Sequence, residues 1–222
     1  MESIDWIAIG FWIIFIIISL VCSLIFFQKY LKSQERNKNQ LALCLLFLCI
    51  GIGRLLLIYF DYFLTELNPG DYINHILMWK LANLIQLAGV GFLILISEYA
   101  VWKGKDYYVF FIGMTITVTI GMFYPEFSTA ENIFTTAMFF AVIIPFCWVY
   151  LAIKLPNLRR KILLIFIGFI IYGFGMIMLG LTIVQALSFL MDIHSIYLLS
   201  PIIQIPGSII FAIGLKRMYF SQ

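Results

Sequence analysis

Amide, hydroxyl and ammonium groups at helical spacing lie inside two apolar stretches of the sequence. Lys80, Asn83 and Gln86 follow one another at three-residue steps, and Ser200 lies four residues before Gln204. On a helix, each set occupies one side. Within a bilayer such groups either hydrogen-bond neighbouring helices, with about 0.6 to 2 kcal/mol per bond, or contact a ligand. The sequence leaves both interpretations open.

One arginine, Arg54, lies deep within the apolar run CIGIGRLLLIYFDYF. Insertion of a central arginine costs at least about 2.5 to 3.5 kcal/mol, which predicts that Arg54 faces the protein interior and has a partner. Asp61, two helical turns further along the same face, is the candidate partner, and snorkelling to the surface is the alternative. Because a guanidinium keeps its charge at any pH, Arg54 suits a fixed anchor for an anionic or polar ligand better than a proton relay.

These side chains together predict a ligand site in the outer half of the molecule. The predicted ligand-binding residues are Arg54, Lys80, Asn83, Gln86, Ser200 and Gln204. Four of them are expected to line one polar cavity, namely Arg54, Asn83, Gln86 and Gln204.

Catalytic and metal-binding patterns are weak in this sequence. His75 and His194 lie close in sequence to Asp71 and Asp192, which would suit an external metal or pH-sensing pair, but two interfacial histidines fit the same pattern. No serine or cysteine has a base at a suggestive spacing, and no acid pair lies at membrane depth. We therefore expect a protein that is not an enzyme and has no metal site.

The composition requires a membrane environment. The chain has 222 residues, of which 64% are hydrophobic and 11% charged, and its mean hydropathy is +1.05, so it cannot cover a soluble surface with polar groups. Seven apolar runs are long enough for the roughly 20 residues that a transmembrane helix needs, and they lack the alternation of barrel strands. We expect one all-α domain over residues 1–222, with spans at 4–27, 41–63, 74–102, 107–124, 132–153, 161–185 and 195–215.

Basic residues mark one side of this predicted bundle. All Lys and Arg except Arg54 and Lys80, 12 of the 14, follow the first, third, fifth and seventh spans. The positive-inside rule therefore places the N-terminus outside and the C-terminus in the cytoplasm. The short basic segments are interpreted as topology signals that also contact anionic lipids, and no nucleic-acid partner is expected. The expected location is the cell or cytoplasmic membrane.

Three further expectations concern single spans. The first span is expected to be largely lipid-facing, with Trp6 and Trp12 near the outer interface. Glu98, near the inner end of the third span, is expected at the interface. Pro201 and Pro206 are expected to bend or unwind the seventh span.

Similar spacings recur in the two halves of the sequence. Gly51 and Gly53 match Gly173 and Gly175 at an offset of 122 residues. At an offset of 118, the pairs are Leu81 and Leu199, Ile85 and Ile203, Gln86 and Gln204, and Gly89 and Gly207. The pattern predicts parallel three-helix repeats at 4–102 and 132–217, joined by a linker helix at 107–124, with a site between them near the midplane. Chance similarity between apolar helices is the alternative.

In architecture only, the chain resembles the broad grouping of small sugar and PQ-loop transporters, microbial opsins and seven-helix sensor domains. The proline-glutamine dipeptide of the PQ-loop group is absent, since the order here is Gln204-Ile205-Pro206. The seventh span has no lysine to form the Schiff base of an opsin, so no covalent retinal and no other cofactor is expected.

Two functions are compatible with these observations. The first is a sensor-like or receptor-like membrane protein that binds a small polar or anionic ligand in the bundle. The alternative is a small-solute transporter, a facilitator, with a midplane site between the halves. A mid-membrane Asp or Glu for proton coupling is lacking. The sequence ends seven residues after the last span, so signalling is expected to need a separate cytoplasmic partner.

Overall fold

The computed structural model describes residues 2–33, 38–103, 105 and 108–219. Within these residues every regular element is helical. The α-helices are α1 (Ser3–Lys32), α2 (Lys38–Ile58), α3 (Ile76–Trp102), α4 (Val109–Phe123), α5 (Phe127–Phe139), α6 (Ile143–Lys154), α7 (Arg159–Ile177), α8 (Leu181–Leu187) and α9 (Ile193–Tyr219).

Short helical segments of other geometry extend or join these helices. A π-helical segment, Tyr59–Leu64, continues α2, and a 3-10 segment, Pro69–His75, leads into α3. Two more 3-10 segments are Phe140–Val142, between α5 and α6, and Pro156–Leu158, before α7. The first of these lies just before Pro145, which has no N–H to donate to the preceding turn. α5 and α6 therefore form one span with a local tightening at its middle.

In the described part of the chain, six helical segments are long and apolar enough to cross a membrane. They are Ser3–Lys32, Lys38–Leu64, Pro69–Trp102, Phe127–Lys154, Pro156–Ile177 and Ile193–Tyr219. α4 is a seventh apolar helix of only 15 residues. The predicted all-α membrane fold is confirmed at this level. The sixth span was expected to continue to residue 185, but α7 ends at Ile177 because the extended backbone of Gly180 (ψ 134°) separates it from α8.

α1 closes the ring of helices. It packs against α2 and α9, and the contacts α2–α3, α3–α6, α6–α7 and α7–α9 complete the circuit. One face of α1 is buried, whereas the opposite face exposes apolar side chains such as Ile13 and Ile17, which suit lipid contact. The expected position of Trp12 at the outer interface is wrong, because its ring is fully buried against this packing face; Trp6, in contrast, is 59% exposed.

A buried carboxylate of α3 binds the first turn of α4. Glu98 accepts hydrogen bonds from the backbone N–H groups of Phe110 (2.9 Å) and Phe111 (3.3 Å). Its side chain is fully buried, so the expected interfacial position is wrong. The first N–H groups of a helix have no partner within it, and they carry the positive end of its dipole. The Glu98 carboxylate accepts from two of these N–H groups and lies at the positive end of the dipole, and these two interactions explain its burial.

A buried ammonium of α3 binds the other end of α4. Lys80 donates to the backbone carbonyl oxygens of Met122 (3.1 Å) and Tyr124, where the helix has unpaired acceptors and the negative end of its dipole. Lys80 and Glu98 are 18 residues apart, or about 27 Å of helix. α4 therefore lies antiparallel beside α3, with each end held by a side chain of opposite charge.

The two internal prolines of α9 do not unwind it. Pro201 and Pro206 are both within the continuous helix Ile193–Tyr219. Asp192 begins this helix: its carboxylate accepts from the backbone N–H (2.7 Å) and the hydroxyl (3.0 Å) of Ser195. The backbone hydrogen bond from Ser195 lowers the pKa of the Asp192 carboxyl from its usual value. Of the two expected effects of these prolines, unwinding is therefore wrong, and bending stays a prediction.

The two charged side chains that hold α4 should contribute to stability. Replacement of Lys80 by Met should lower the free energy of unfolding by about 1 to 3 kcal/mol, since it leaves buried carbonyl groups without donors. Glu98→Gln should cost less, because the amide retains an acceptor oxygen. Thermal unfolding of the purified protein in detergent is the measurement. Lys38→Met, at an exposed lysine, is the control, and equal melting temperatures for Lys80→Met and Lys38→Met would contradict the role of Lys80.

Candidate functional site

Arg54 lies inside the bundle, stacked on an aromatic ring. Its side chain is only 4% exposed, and its guanidinium carbon is 3.2 Å from the centroid of the Trp12 ring. A guanidinium is planar and weakly hydrated, and it is attracted to the negative face of an indole. The partner is thus supplied by α1, and the snorkelling alternative is excluded by the burial of the side chain.

Several hydroxyl groups and one carboxylate surround this stack. Arg54 interacts electrostatically with Asp61, and with Tyr62, Tyr172 and Tyr197. The Asp61 carboxylate in turn interacts with Arg54 and with the side chain of Tyr197. We call the buried set the arginine–tyrosine cluster, and its members are Trp12, Arg54, Asp61, Tyr62, Tyr72, Tyr172 and Tyr197.

The π-helical end of α2 presents two members of this cluster. Asp61 and Tyr62 are both buried there, 6% and 1% exposed. The segment ends where the Thr65 hydroxyl donates to the carbonyl oxygens of Phe60 (3.0 Å) and Asp61 (3.2 Å). π-helical turns are uncommon and occur frequently at functional sites. Here the wide turn lets adjacent residues both face the interior.

Unsatisfied polar atoms are concentrated in the arginine–tyrosine cluster. Six buried side-chain nitrogen or oxygen atoms of the described residues have no hydrogen bond of good geometry, and four of them are Nε and Nη2 of Arg54, Nε1 of Trp12 and the hydroxyl of Tyr62. The side chains of Trp12 and Tyr62 interact with each other, whereas the two Arg54 nitrogens have no such contact. Buried polar groups are normally satisfied, so such a concentration marks a place for a bound group or for water. Three of the four atoms are pure donors and the fourth can donate. The cluster is therefore suited to an acceptor-rich partner.

Two of the predicted site residues join α9 to α7. The Gln204 side-chain amide donates to the Ser200 hydroxyl (2.9 Å), which donates to the carbonyl oxygen of Gly175 (2.8 Å). Gln204 and Ser200 are 2% and 0% exposed. A Cβ added to Gly175 would be 2.6 Å from Cγ of Gln204, so the amide packs directly over this glycine.

Gln86 has a corresponding position between α3 and α2. Its side chain is 7% exposed, and a Cβ added to Gly53 would be 2.4 Å from its Cγ. Asn83, one turn earlier, donates to the carbonyl oxygen of Trp79 in its own helix (2.9 Å). Lys80 binds the carbonyl groups at the end of α4. The structure thus gives Lys80, Ser200 and Gln204 contacts between helices, and a ligand role for these residues stays a prediction.

A small cavity lies at the centre of the ring, away from these amides. Its volume is about 10 Å³, roughly the space of one water molecule. Its lining includes Phe15, Ser19, Phe47, Tyr172, Ser208 and Phe211, and none of the four residues expected to share a cavity. Both serine hydroxyls donate to carbonyl oxygens of their own helices. Tyr172 connects this cavity with the cluster, because it also interacts with Arg54.

The first turns of α1 and α9 are joined by a histidine. His194 Nδ1 is 2.6 Å from an Asp5 carboxylate oxygen, and its Nε2 is 3.9 Å from the Glu2 carboxylate. The second Asp5 oxygen accepts from the backbone N–H of Glu2 (2.7 Å). His194 therefore has its acid partner on α1, whereas Asp192, its neighbour in sequence, is engaged at the start of α9.

Sequence reasoning found Arg54 and Asp61 but missed the aromatic members of the cluster. Tyrosine and tryptophan are common at membrane interfaces, so Trp12, Tyr62 and Tyr197 carry no signal by type alone. Tyr172 was the available exception, since it lies in the middle of an apolar run, where a hydroxyl needs a partner.

The fold and its apolar helices define, over the described residues, an all-helical integral membrane protein with a buried arginine inside its bundle. Comparison with protein families, with curated proteins and with solved structures finds no match. The site therefore has to be interpreted from its own contacts.

The glycines beneath the two glutamines should not tolerate a side chain. Gly53→Ala and Gly175→Ala should each lower the free energy of unfolding by about 1 to 3 kcal/mol, because the added methyl group overlaps the packed amide and nearby backbone. Gly173→Ala is the matched control: a Cβ there has no neighbour within 4 Å. It should be neutral or stabilising by up to about 1 kcal/mol. Thermal unfolding in detergent compares them, and a Gly53→Ala protein as stable as Gly173→Ala would contradict the packing.

Proposed function

We propose that this protein is a sensor-like or receptor-like membrane protein whose arginine–tyrosine cluster binds a small anionic ligand. The observation that supports this most is the pair of unpartnered donors on Arg54, a side chain that is 4% exposed and always charged. A buried charge with missing hydrogen bonds is costly, and an anion that supplies them recovers that cost.

The position of the two free donors indicates the class of anion. Nε and Nη2 lie on one edge of the guanidinium, so their N–H groups form the fork that matches the two oxygens of a carboxylate. One flat face of the guanidinium is already covered by the Trp12 ring. Trp12 Nε1 and the Tyr62 hydroxyl offer further donors nearby. A small carboxylate fits this set better than a cation or an apolar molecule.

Asp61 and the π-helical segment provide a means of response. Without ligand, Asp61 is the carboxylate that interacts with Arg54. A ligand carboxylate would compete for the same guanidinium and weaken the attraction that holds Asp61 and the adjoining Tyr197. The change would be transmitted through Tyr59–Leu64 to α2 and so to the cytoplasmic side, where a separate signalling partner would detect it.

Ligand-induced thermal stabilisation tests the proposal directly. Acetate and formate should stabilise the purified protein, by about 2.7 kcal/mol at a hundredfold excess over Kd, whereas acetamide and formamide should not. Arg54→Lys should abolish the effect, because it keeps the charge but loses the fork. Arg160→Lys, the same change at an exposed arginine, should leave it intact. Tyr62→Phe, which removes one hydroxyl, should weaken binding several-fold.

Equal stabilisation by acetate and acetamide would overturn the proposed site. If Arg54→Lys does not fold, the Tyr62→Phe variant still decides, because it removes a single hydroxyl and leaves the guanidinium in place. Liposomes that contain the purified protein should show binding of radiolabelled acetate without flux. Flux in the absence of any partner would instead favour the transporter.

The transporter remains the second candidate because of matching contacts in the two halves. Gly53 packs against Gln86 as Gly175 packs against Gln204. An added Cβ on Gly89 would lie near Cys49 (3.0 Å) and Ile50 (3.6 Å), and one on Gly207 would lie near Ile171 (3.0 Å) and Tyr172 (2.5 Å). In each pair of contacts, the residues of α2 and α7 are 122 positions apart in the sequence, and the residues of α3 and α9 are 118 positions apart. These contacts support a parallel repeat, with α4 as the linker. The central cavity, which has room for about one water molecule, marks the corresponding position, and it would have to widen to admit a solute.

The proposed repeat also predicts how the stability losses of the two glycine variants compare. If α2–α3 and α7–α9 are equivalent pairs, Gly53→Ala and Gly175→Ala should destabilise the protein by similar amounts. Markedly unequal losses would argue against the repeat.

We also propose that the N-terminus is outside and the C-terminus cytoplasmic. The distribution of Lys and Arg supports this orientation. In intact cells, a membrane-impermeant maleimide should label Phe189→Cys, at a loop residue that is 92% exposed, and should label Lys38→Cys only after permeabilisation. The unsubstituted protein is the control for its four cysteines, and the reverse labelling pattern would invert the topology.

A further inference from the structure

A second concave surface lies on the outside of the bundle, far along the chain from Arg54. It is a groove of about 310 Å³ between the last turn of α3 and α6. Its lining residues are Val101, Trp102, Ile143, Phe146, Cys147 and Tyr150. None of them belongs to the arginine–tyrosine cluster, so the groove is separate from the proposed ligand site.

The sequence of α6 explains why this face is concave and apolar. Ile143, Phe146, Cys147 and Tyr150 recur with the i, i+3, i+4, i+7 spacing of one helix face. The 3-10 segment Phe140–Val142 precedes them. Phe146 and Tyr150 remain 66% and 46% exposed although α6 packs against α3 and α7, so this face is available from the membrane.

Cations lie at one end of the groove. Lys154, one turn beyond Tyr150, has its ammonium nitrogen 5.8 Å from the centroid of that ring. Lys103 and Lys105 follow Trp102 directly, and all three lysines are exposed. Asp106, next in the sequence, lies outside the described residues. Apolar and aromatic groups along the groove, with cations at its end, match the two parts of an anionic lipid.

We propose that this groove is a binding site for an anionic phospholipid. One acyl chain lies along the apolar face of α6 beside Trp102, and the headgroup phosphate is bound by Lys154 together with Lys103 and Lys105. Bulk lipid touches every exposed helix face, but only here do a concave wall and a group of lysines coincide among the grooves described. The site therefore selects the headgroup charge, and a zwitterionic lipid occupies it less well.

Quenching of Trp102 fluorescence by brominated lipids tests the site. The purified protein in detergent is titrated with brominated phosphatidylglycerol or brominated phosphatidylcholine, and the Trp102 signal is obtained by difference from Trp102→Phe. Phosphatidylglycerol should reach half-maximal quenching at a several-fold lower mole fraction. The combined change Lys103→Gln, Lys105→Gln and Lys154→Gln should remove this preference. Ile143→Phe, which narrows the groove, should reduce quenching by both lipids.

A matched control separates the groove from general surface charge. Lys29, Lys32 and Lys38 lie at the same predicted membrane side, at the ends of α1 and α2, and their combined change to Gln should leave the preference intact. Equal quenching by the two lipids would overturn the proposal, as would an equal effect of the control variant. Soluble glycerol phosphate should not displace the brominated lipid, and complete displacement would show a phosphate site in place of a lipid site.

Discussion

The stacking of Arg54 on Trp12 is the contact on which the arginine–tyrosine cluster depends. A guanidinium can be buried among apolar helices only if its charge is met from several sides. α1 supplies the indole face, the π-helical end of α2 supplies Asp61 and Tyr62, and α7 and α9 each supply a tyrosine. The same arrangement leaves one edge of the guanidinium without partners. Packing that isolates the charge from lipid thus leaves two guanidinium nitrogens without hydrogen bonds.

Several other buried polar side chains of the bundle are satisfied by groups of the protein itself. Lys80 and Glu98 bind opposite ends of α4, and Ser200 and Gln204 connect α9 to α7. A polar residue inside a membrane helix is therefore not by itself a sign of a binding site. What distinguishes Arg54 from these residues is the absence of hydrogen-bond partners for two of its nitrogens within the described part of the chain.

Much of the fold follows from the sequence, because helix formation in a bilayer is dictated by apolar length. The burial of Arg54, Gln86 and Gln204 follows as well, since no other location is tolerable for them. The contacts that the buried charged residues make do not follow from the sequence. Trp12 is followed in sequence by exposed Ile13, and it reaches Arg54 only because α1 is inserted between α2 and α9. Likewise, the bonds of Lys80 and Glu98 depend on α4 lying antiparallel beside α3, which the periodicity of either helix does not encode.

The two ends of α4 also bear on how the chain enters the membrane. α3 is synthesised first and carries a buried Lys80 and Glu98, whose insertion without partners would be costly. α4 has only 15 residues, about 22 Å of helix, which is short for the hydrocarbon core. α4 therefore provides the partners for Lys80 and Glu98, and these two side chains of α3 hold the ends of the short α4. Entry of α3 and α4 into the bilayer as one hairpin removes both penalties, and it makes the short segment between them, residues 103–108, a determinant of biosynthesis as well as of topology.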